Sequence, residues 1–168
     1  MKQKGSWIWF FLVILWMSVI FLFSAQNAEH SAAMSGGITE RIVRFFHPNF
    51  DRYFPTRQEE IIGNFTFLVR KAAHFTEYAI LGFLLTGWLH SFSVPASKWP
   101  VTKNKTAWFI GAIYAVSDEV HQMFSDGRAP RLFDVCVDAV GVAAGILVFF
   151  LVCHIRLWYT ESMKVRKK

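Results

Sequence analysis

Charge is what this chain is short of. Only 18% of its 168 residues are Asp, Glu, Lys or Arg, where a soluble domain carries about 25%. Apolar side chains fill the gap: hydrophobic residues make up 54%, including 18 Phe and 7 Trp. So apolar a composition excludes an ordinary water-facing domain and points to lipid. Cysteine is scarce too. Cys136 and Cys153 fall in one apolar run; on a helix, at about 1.5 Å per residue, they stand roughly 25 Å apart. A disulfide needs Cα atoms within about 7 Å, so they do not pair, and there is no CxxC. A basic stripe is also missing. The net charge is +6, but Lys and Arg sit between apolar runs and at the termini, so nucleic acid is not an expected partner. No internal repeat or low-complexity tract occurs, and the length suits a single domain, residues 1–168.

What the chain has instead is four long apolar stretches. The first is WIWFFLVILWMSVIFLF, Trp7 to Phe23. It follows Met-Lys-Gln-Lys, as a signal peptide would, but it is longer than an h-region of about 7–15 residues. A retained transmembrane helix is expected. The second stretch, 65–92, is purely apolar in its second half and carries Arg70, Lys71, His74 and Glu77 in its first. The third, 106–124, is apolar until Asp118; the fourth, 132–153, is apolar apart from Asp134 and Asp138. The expected fold is all-α, a polytopic bundle of four transmembrane helices. Residues 24–64 are too polar to span a membrane and too long for a simple turn. Within them GGITERIVRFF spaces Ile38, Ile42, Phe45 and Phe46 as an amphipathic helix on the outer surface would. A loop with a few buried anchors fits the same residues.

Orientation follows from where Lys and Arg fall. One side has Lys2 and Lys4, then Lys98, Lys103 and Lys105, then Arg156, Lys164, Arg166, Lys167 and Lys168. The other has Arg41, Arg44, Arg52 and Arg57 in an acid-balanced segment, with Arg128 and Arg131 in a short turn. Both termini are therefore expected in the cytoplasm, with 24–64 and 125–131 outside.

This topology brings the polar halves of three spans to one level near the outer surface. At 100° per residue, Arg70, His74, Glu77, Tyr78 and Leu81 share one helical stripe. Asp118, His121 and Gln122 share another; Asp134, Asp138, Gly141 and Gly145 share a third. Gly141 and Gly145 form a GxxxG spacing that lets another helix come close. Ionisable groups in hydrocarbon are costly unless paired or hydrated, so they mark function by default. An alternative is a network of ion pairs holding helices in register, Asp118 with Arg128 and Glu77 with Lys71. Registry needs one or two such groups; this chain supplies many more. His30, His47, His90 and His154 share no motif and are expected to be solvent or interface residues.

The runs RKAAHFTEYAILG, YAVSDEVHQMFSDGR and DVCVDAVGVAAG, with FSAQNAEHS after the first span, resemble the VanZ-like family of small membrane proteins. The resemblance covers nearly the whole chain. It implies a multi-pass protein of the bacterial cytoplasmic membrane; the family's namesake is associated with low-level resistance to the glycopeptide teicoplanin. The matching motif positions here are Lys71, His74, Glu77, Tyr78, Asp118, Glu119, His121, Gln122, Arg128, Asp134 and Asp138.

Three classes of function stay open. An enzyme at the outer face would use His74, Glu77, Asp118, Glu119 and His121 as catalytic groups, in acid–base pairs or around a divalent metal. Lys71, Tyr78, Gln122, Arg128, Asp134 and Asp138 would then bind substrate, Arg128 and Lys71 gripping a phosphate. No Ser or Cys nucleophile stands out; Ser117 and Ser125 have no distinctive setting. A binding or transport module would hold a phospholipid, a lipid-linked cell-wall precursor or a glycopeptide in the same pocket. Four helices are few for an alternating-access monomer, so transport would call for a homodimer. A structural partner of another envelope protein is the third class. The sequence leaves the cofactor open.

Overall fold

The computed structural model describes residues 3–25, 28–92, 100–124 and 131–166, and side chains at 5–25, 36–92, 102–124 and 131–163. Within these, the chain is all-helical. Five α-helices run in order: α1 (Gln3–Ser24), α2 (Ala28–Phe46), α3 (Pro55–Ser91), α4 (Pro100–Gln122) and α5 (Leu132–Arg166), with a 3-10 turn at Phe50–Arg52 before α3. α3 is the hub and touches all four others. Its start is sharp. Phe54 is extended, as the residue before a proline must be, and Pro55 opens the first turn, where its missing N–H costs nothing.

The helices outrun the apolar stretches that mark them. α3 begins ten residues before the apolar run at 65, and α5 ends thirteen residues after the run at 153. Apolarity records where lipid-like surroundings begin, whereas the backbone hydrogen-bond ladder continues until a breaker interrupts it. At about 1.5 Å per residue the 37 residues of α3 extend roughly 55 Å, well over a hydrocarbon core of about 30 Å. α1 and α5 are long and apolar enough to cross a membrane; α3 and α4 do not reach that measure. The four spans expected from the sequence are therefore supported for α1 and α5, while α3 and α4 carry polar residues inside their apolar runs.

The described part of the 24–64 segment, residues 28–64, is folded rather than a loose loop. GGITERIVRFF forms the second half of α2, and the helix also takes in AEHSAAMS before it. Val43, Phe50 and Ile61 close a small second core, with Tyr53 and Phe65 against it. Arg44 ties the segment together through Glu40 at 3.0 Å and Asp51 at 2.7 Å. Asp51, then Glu40, raise the Arg44 guanidinium above its ordinary pKa. The face of α2 that packs inward is Thr39 and Val43; Ile38, Phe45 and Phe46 are exposed.

The main core joins Val13 and Ile20 of α1, Tyr78, Leu81 and Leu85 of α3, Ala107 and Ala115 of α4, and Val142 and Ile146 of α5. Where α3 crosses α5 there is no room for side chains. A Cβ at Gly145 would sit 1.8 Å from the Ala79 carbonyl oxygen, one at Gly141 2.6 Å from that of Phe75, and one at Gly82 2.2 Å from that of Val142. The GxxxG spacing on α5 thus serves α3, whose own glycine completes the contact.

α4 shows an inverted distribution of polarity. Ala107, Gly111, Ala115, Asp118 and Gln122 are buried, while Phe109, Ile113, Val116 and Val120 form an exposed apolar stripe, Ile113 at 68%. The helix thus turns carboxylate and amide inward and Phe and Ile outward.

Candidate functional site

Polar groups gather where the middle of α3, the end of α4 and the start of α5 meet. Asp118 is 3% exposed and Asp138 4%. His74, Asp118 and Asp138 each turn one ligand atom to a common point, all within 4.8 Å of one another. Helical spacing explains this: Asp134 and Asp138 are one turn apart on α5, as Asp118 and Gln122 are on α4.

Asp118 is held from one side. Its Oδ2 accepts hydrogen bonds from the Ser24 hydroxyl at 2.8 Å and the Gln122 amide at 2.9 Å; the same amide also donates to Ser24 Oγ at 2.6 Å. Its Oδ1 is buried with no hydrogen-bond partner. Ser24, 1% exposed, is the site residue that motif reading leaves out, although it lies within FSAQNAEHS. A lone serine at the end of an apolar run carries no signal by itself; its partner is on α4, 94 residues away.

The other candidates divide by location. Lys71 pairs with Asp134 of α5, not with Glu77 of its own helix; six residues along a helix turn the side chain by about 240°, away from the shared face. Glu77 instead lies 3.6 Å from His74 Nδ1. Lys71, His74, Glu119, Gln122, Asp134 and Asp138 enclose a cavity of about 10 Å³, room for about one water-sized guest. Glu119 also has structural work. Its Oε1 accepts the backbone N–H of Arg131 at 2.6 Å, so a carboxylate sits against the N-terminus of α5, where the helix dipole favours it. Tyr78 is fully buried in the core, its ring 6.2 Å from that of Tyr114. His121 lies apart from this enclosure, its ring stacked on Phe21 of α1 with centroids 4.1 Å apart. Arg128 lies outside the described residues.

Aromatic donors bolt the helices around this point. Trp16 Nε1 donates to the Glu77 carbonyl at 2.8 Å, Tyr114 to the Met17 carbonyl at 2.6 Å, and Trp108 Nε1 to the Ala139 carbonyl at 3.0 Å. Glu77 also borders a second space. A groove of about 480 Å³ runs between α1, α2 and α3, lined by Trp16, Ile38, Ile42, Val69, Ala72, Ala73, Thr76, Glu77 and Ile80. Its size lies in the range of ligand pockets, about 300–1,000 Å³. Apart from Thr76 and Glu77 its lining is apolar.

A family model described as VanZ/LLP1 matches residues 9–153. None of the curated proteins and none of the solved structures matches the chain.

Proposed function

The chain belongs to the VanZ/LLP1 family, and from its site we propose that it is a four-span protein of the bacterial cytoplasmic membrane handling a lipid or lipid-linked anionic envelope substrate. The observation that carries this reading is the double position of Glu77. It borders the apolar groove of about 480 Å³ and stands 3.6 Å from His74 of the polar cluster. A lipid chain lying between α1, α2 and α3 would bring its headgroup to the charged enclosure. The apolar outer stripe of α4 supports counting that helix among the spans, although its inward residues are polar.

The groove gives the test. Ala73→Trp and Ile42→Trp fill it with indole rings while leaving the charged residues in place. With the protein in nanodiscs containing undecaprenyl phosphate, the parent chain is expected to retain about one such lipid by native mass spectrometry. Each filled variant should retain at least tenfold less, a loss of about 1.4 kcal/mol. Equal retention by the filled variants would remove the groove from the function.

A bond-breaking role on the same substrate has one observation in its favour: His74, Asp118 and Asp138 converge within 4.8 Å, as acid–base or metal chemistry requires. The family resemblance makes glycopeptide tolerance, teicoplanin first, the phenotype to read.

Both termini in the cytoplasm, and hence the site at the outer face, rest on the Lys and Arg distribution. In a chain with Cys136 and Cys153 replaced by alanine, an Asp126→Cys label is expected to react with an impermeant maleimide on intact cells. A Lys168→Cys label should react only after permeabilisation. The reverse pattern would invert the topology and put the site at the cytoplasmic face.

A further inference from the structure

We infer that His74, Asp118 and Asp138 form a site for one divalent transition-metal ion, zinc by preference. Their three donor atoms lie within 4.8 Å of one another. Around zinc, with bonds of about 2.1 Å, tetrahedral ligand atoms stand roughly 3.4 Å apart, so small side-chain rotations close the set. The donors come from α3, α4 and α5, so that only the folded bundle assembles them.

Independent features point to a small cationic guest. Asp118 Oδ2 is fixed by Ser24 and Gln122, while Oδ1 is buried without a close hydrogen bond and the Tyr78 hydroxyl interacts with the same carboxylate. A carboxylate anchored through one oxygen by neighbouring donors is arranged as a ligand whose outer partners set its direction. Glu77 stands 3.6 Å from His74 Nδ1, close enough for a small rotation to place it as the outer carboxylate commonly found with metal-binding histidines. The neighbouring cavity of about 10 Å³ suits a single ion or water and no larger ligand.

The charges agree. Asp134 is paired with Lys71, and Glu119 bonds the Arg131 N–H. Lys71 also acts on Asp138 across the cavity; among the described residues that line it, one Lys therefore faces four carboxyl groups, Asp118, Glu119, Asp134 and Asp138, at or beside the cluster. A divalent ion neutralises the buried carboxylates of Asp118 and Asp138, which otherwise carry a heavy desolvation cost. Mixed imidazole and carboxylate ligation favours zinc over magnesium, which takes oxygen ligands and keeps its waters.

The site is independent of the lipid reading, because metal binding is measured without any substrate. Full-length protein with no metal-binding tag, stripped by chelator and titrated with zinc, is expected to bind about one ion per chain by calorimetry and elemental analysis. His74→Ala, Asp118→Asn and Asp138→Asn should each weaken binding by more than about 100-fold, beyond what loss of an outer partner costs. Replacing Cys136 and Cys153 by alanine, or Glu40→Gln on α2, should change nothing. No zinc in the parent chain, or binding unaltered by Asp138→Asn, overturns the assignment. Cobalt spectra of the unmodified protein guard against variants that fail to fold. Visible d–d bands without thiolate charge transfer support the His–Asp–Asp set; a thiolate band assigns the metal to cysteine and overturns it.

Discussion

A Gly145→Val chain is expected to be strongly destabilised. The first added carbon already falls 1.8 Å from the Ala79 carbonyl oxygen and 2.8 Å from the Phe83 backbone nitrogen. Neither atom belongs to a side chain that can swing away, so the backbones of α3 and α5 must move apart at this crossing. Overpacking ordinarily costs about 1–3 kcal/mol where neighbours yield; with backbone in the way, the loss should exceed about 3 kcal/mol. At about 2–4 °C per kcal/mol for a chain of this size, the melting point should fall by at least roughly 6 °C. Gly63→Ala is the contrast. Nothing lies within 4 Å of its Cβ position, and alanine gains up to about 1 kcal/mol over glycine inside a helix. Thermal unfolding in detergent separates the two, and a Gly145→Val melting point within about 2 °C of the parent would refute the close crossing.

Glu119→Gln should separate function from scaffolding. The glutamine amide oxygen can still accept the Arg131 N–H, so abundance and melting point are expected to hold. Glu119→Ala leaves that N–H without its partner, at a cost of about 1–3 kcal/mol. If the enclosure works on a ligand and the chain confers glycopeptide tolerance as proposed, Glu119→Gln should still abolish that tolerance, because it removes a charge from the cavity without altering its shape. Should loss of tolerance always track loss of abundance across Glu119→Gln, Glu119→Ala and His121→Ala, the charges serve the fold. Stable protein with full tolerance in Glu119→Gln takes Glu119 out of the site.

Much of the arrangement was legible from spacing. Four-residue intervals put Asp118 with Gln122, and Asp134 with Asp138, on single faces, and the structure turns those faces toward one another. The helical segments were legible too, because long apolar runs leave few alternatives. What periodicity could not supply was partner choice between helices. Lys71 has acids on both α3 and α5 within reach of its sequence pattern, and only the packed geometry selects Asp134. His121 shares a stripe with Asp118 but lies at the α1 side of α4, against Phe21; a stripe about 100° wide can touch two neighbours. Helix ends were the least legible, since α3 and α5 continue through polar residues that form helix as readily as apolar ones. Ser24, Trp16 and Tyr114 were not marked as site residues, although Ser24 and Tyr114 lie in motif runs, because a hydroxyl or indole that donates across helices looks like any other residue of a greasy run.

The hydrogen bond from Ser24 to Asp118 also imposes a schedule on synthesis. Its partners are separated by 94 residues, which a ribosome adding about 5–20 residues per second supplies over roughly 5–20 s. During that interval α1 has its serine without its final acceptor, and the hydroxyl can borrow a carbonyl one turn back, as serine in a helix does. Ser18, bonded to the Ile14 carbonyl at 2.9 Å, shows the same habit permanently. Only when α4 arrives can Ser24 exchange that local bond for the carboxylate. The first helix made is thus held in waiting for the fourth, and a cut removing α1 during that wait would deprive Asp118 of one of the two donors that orient it.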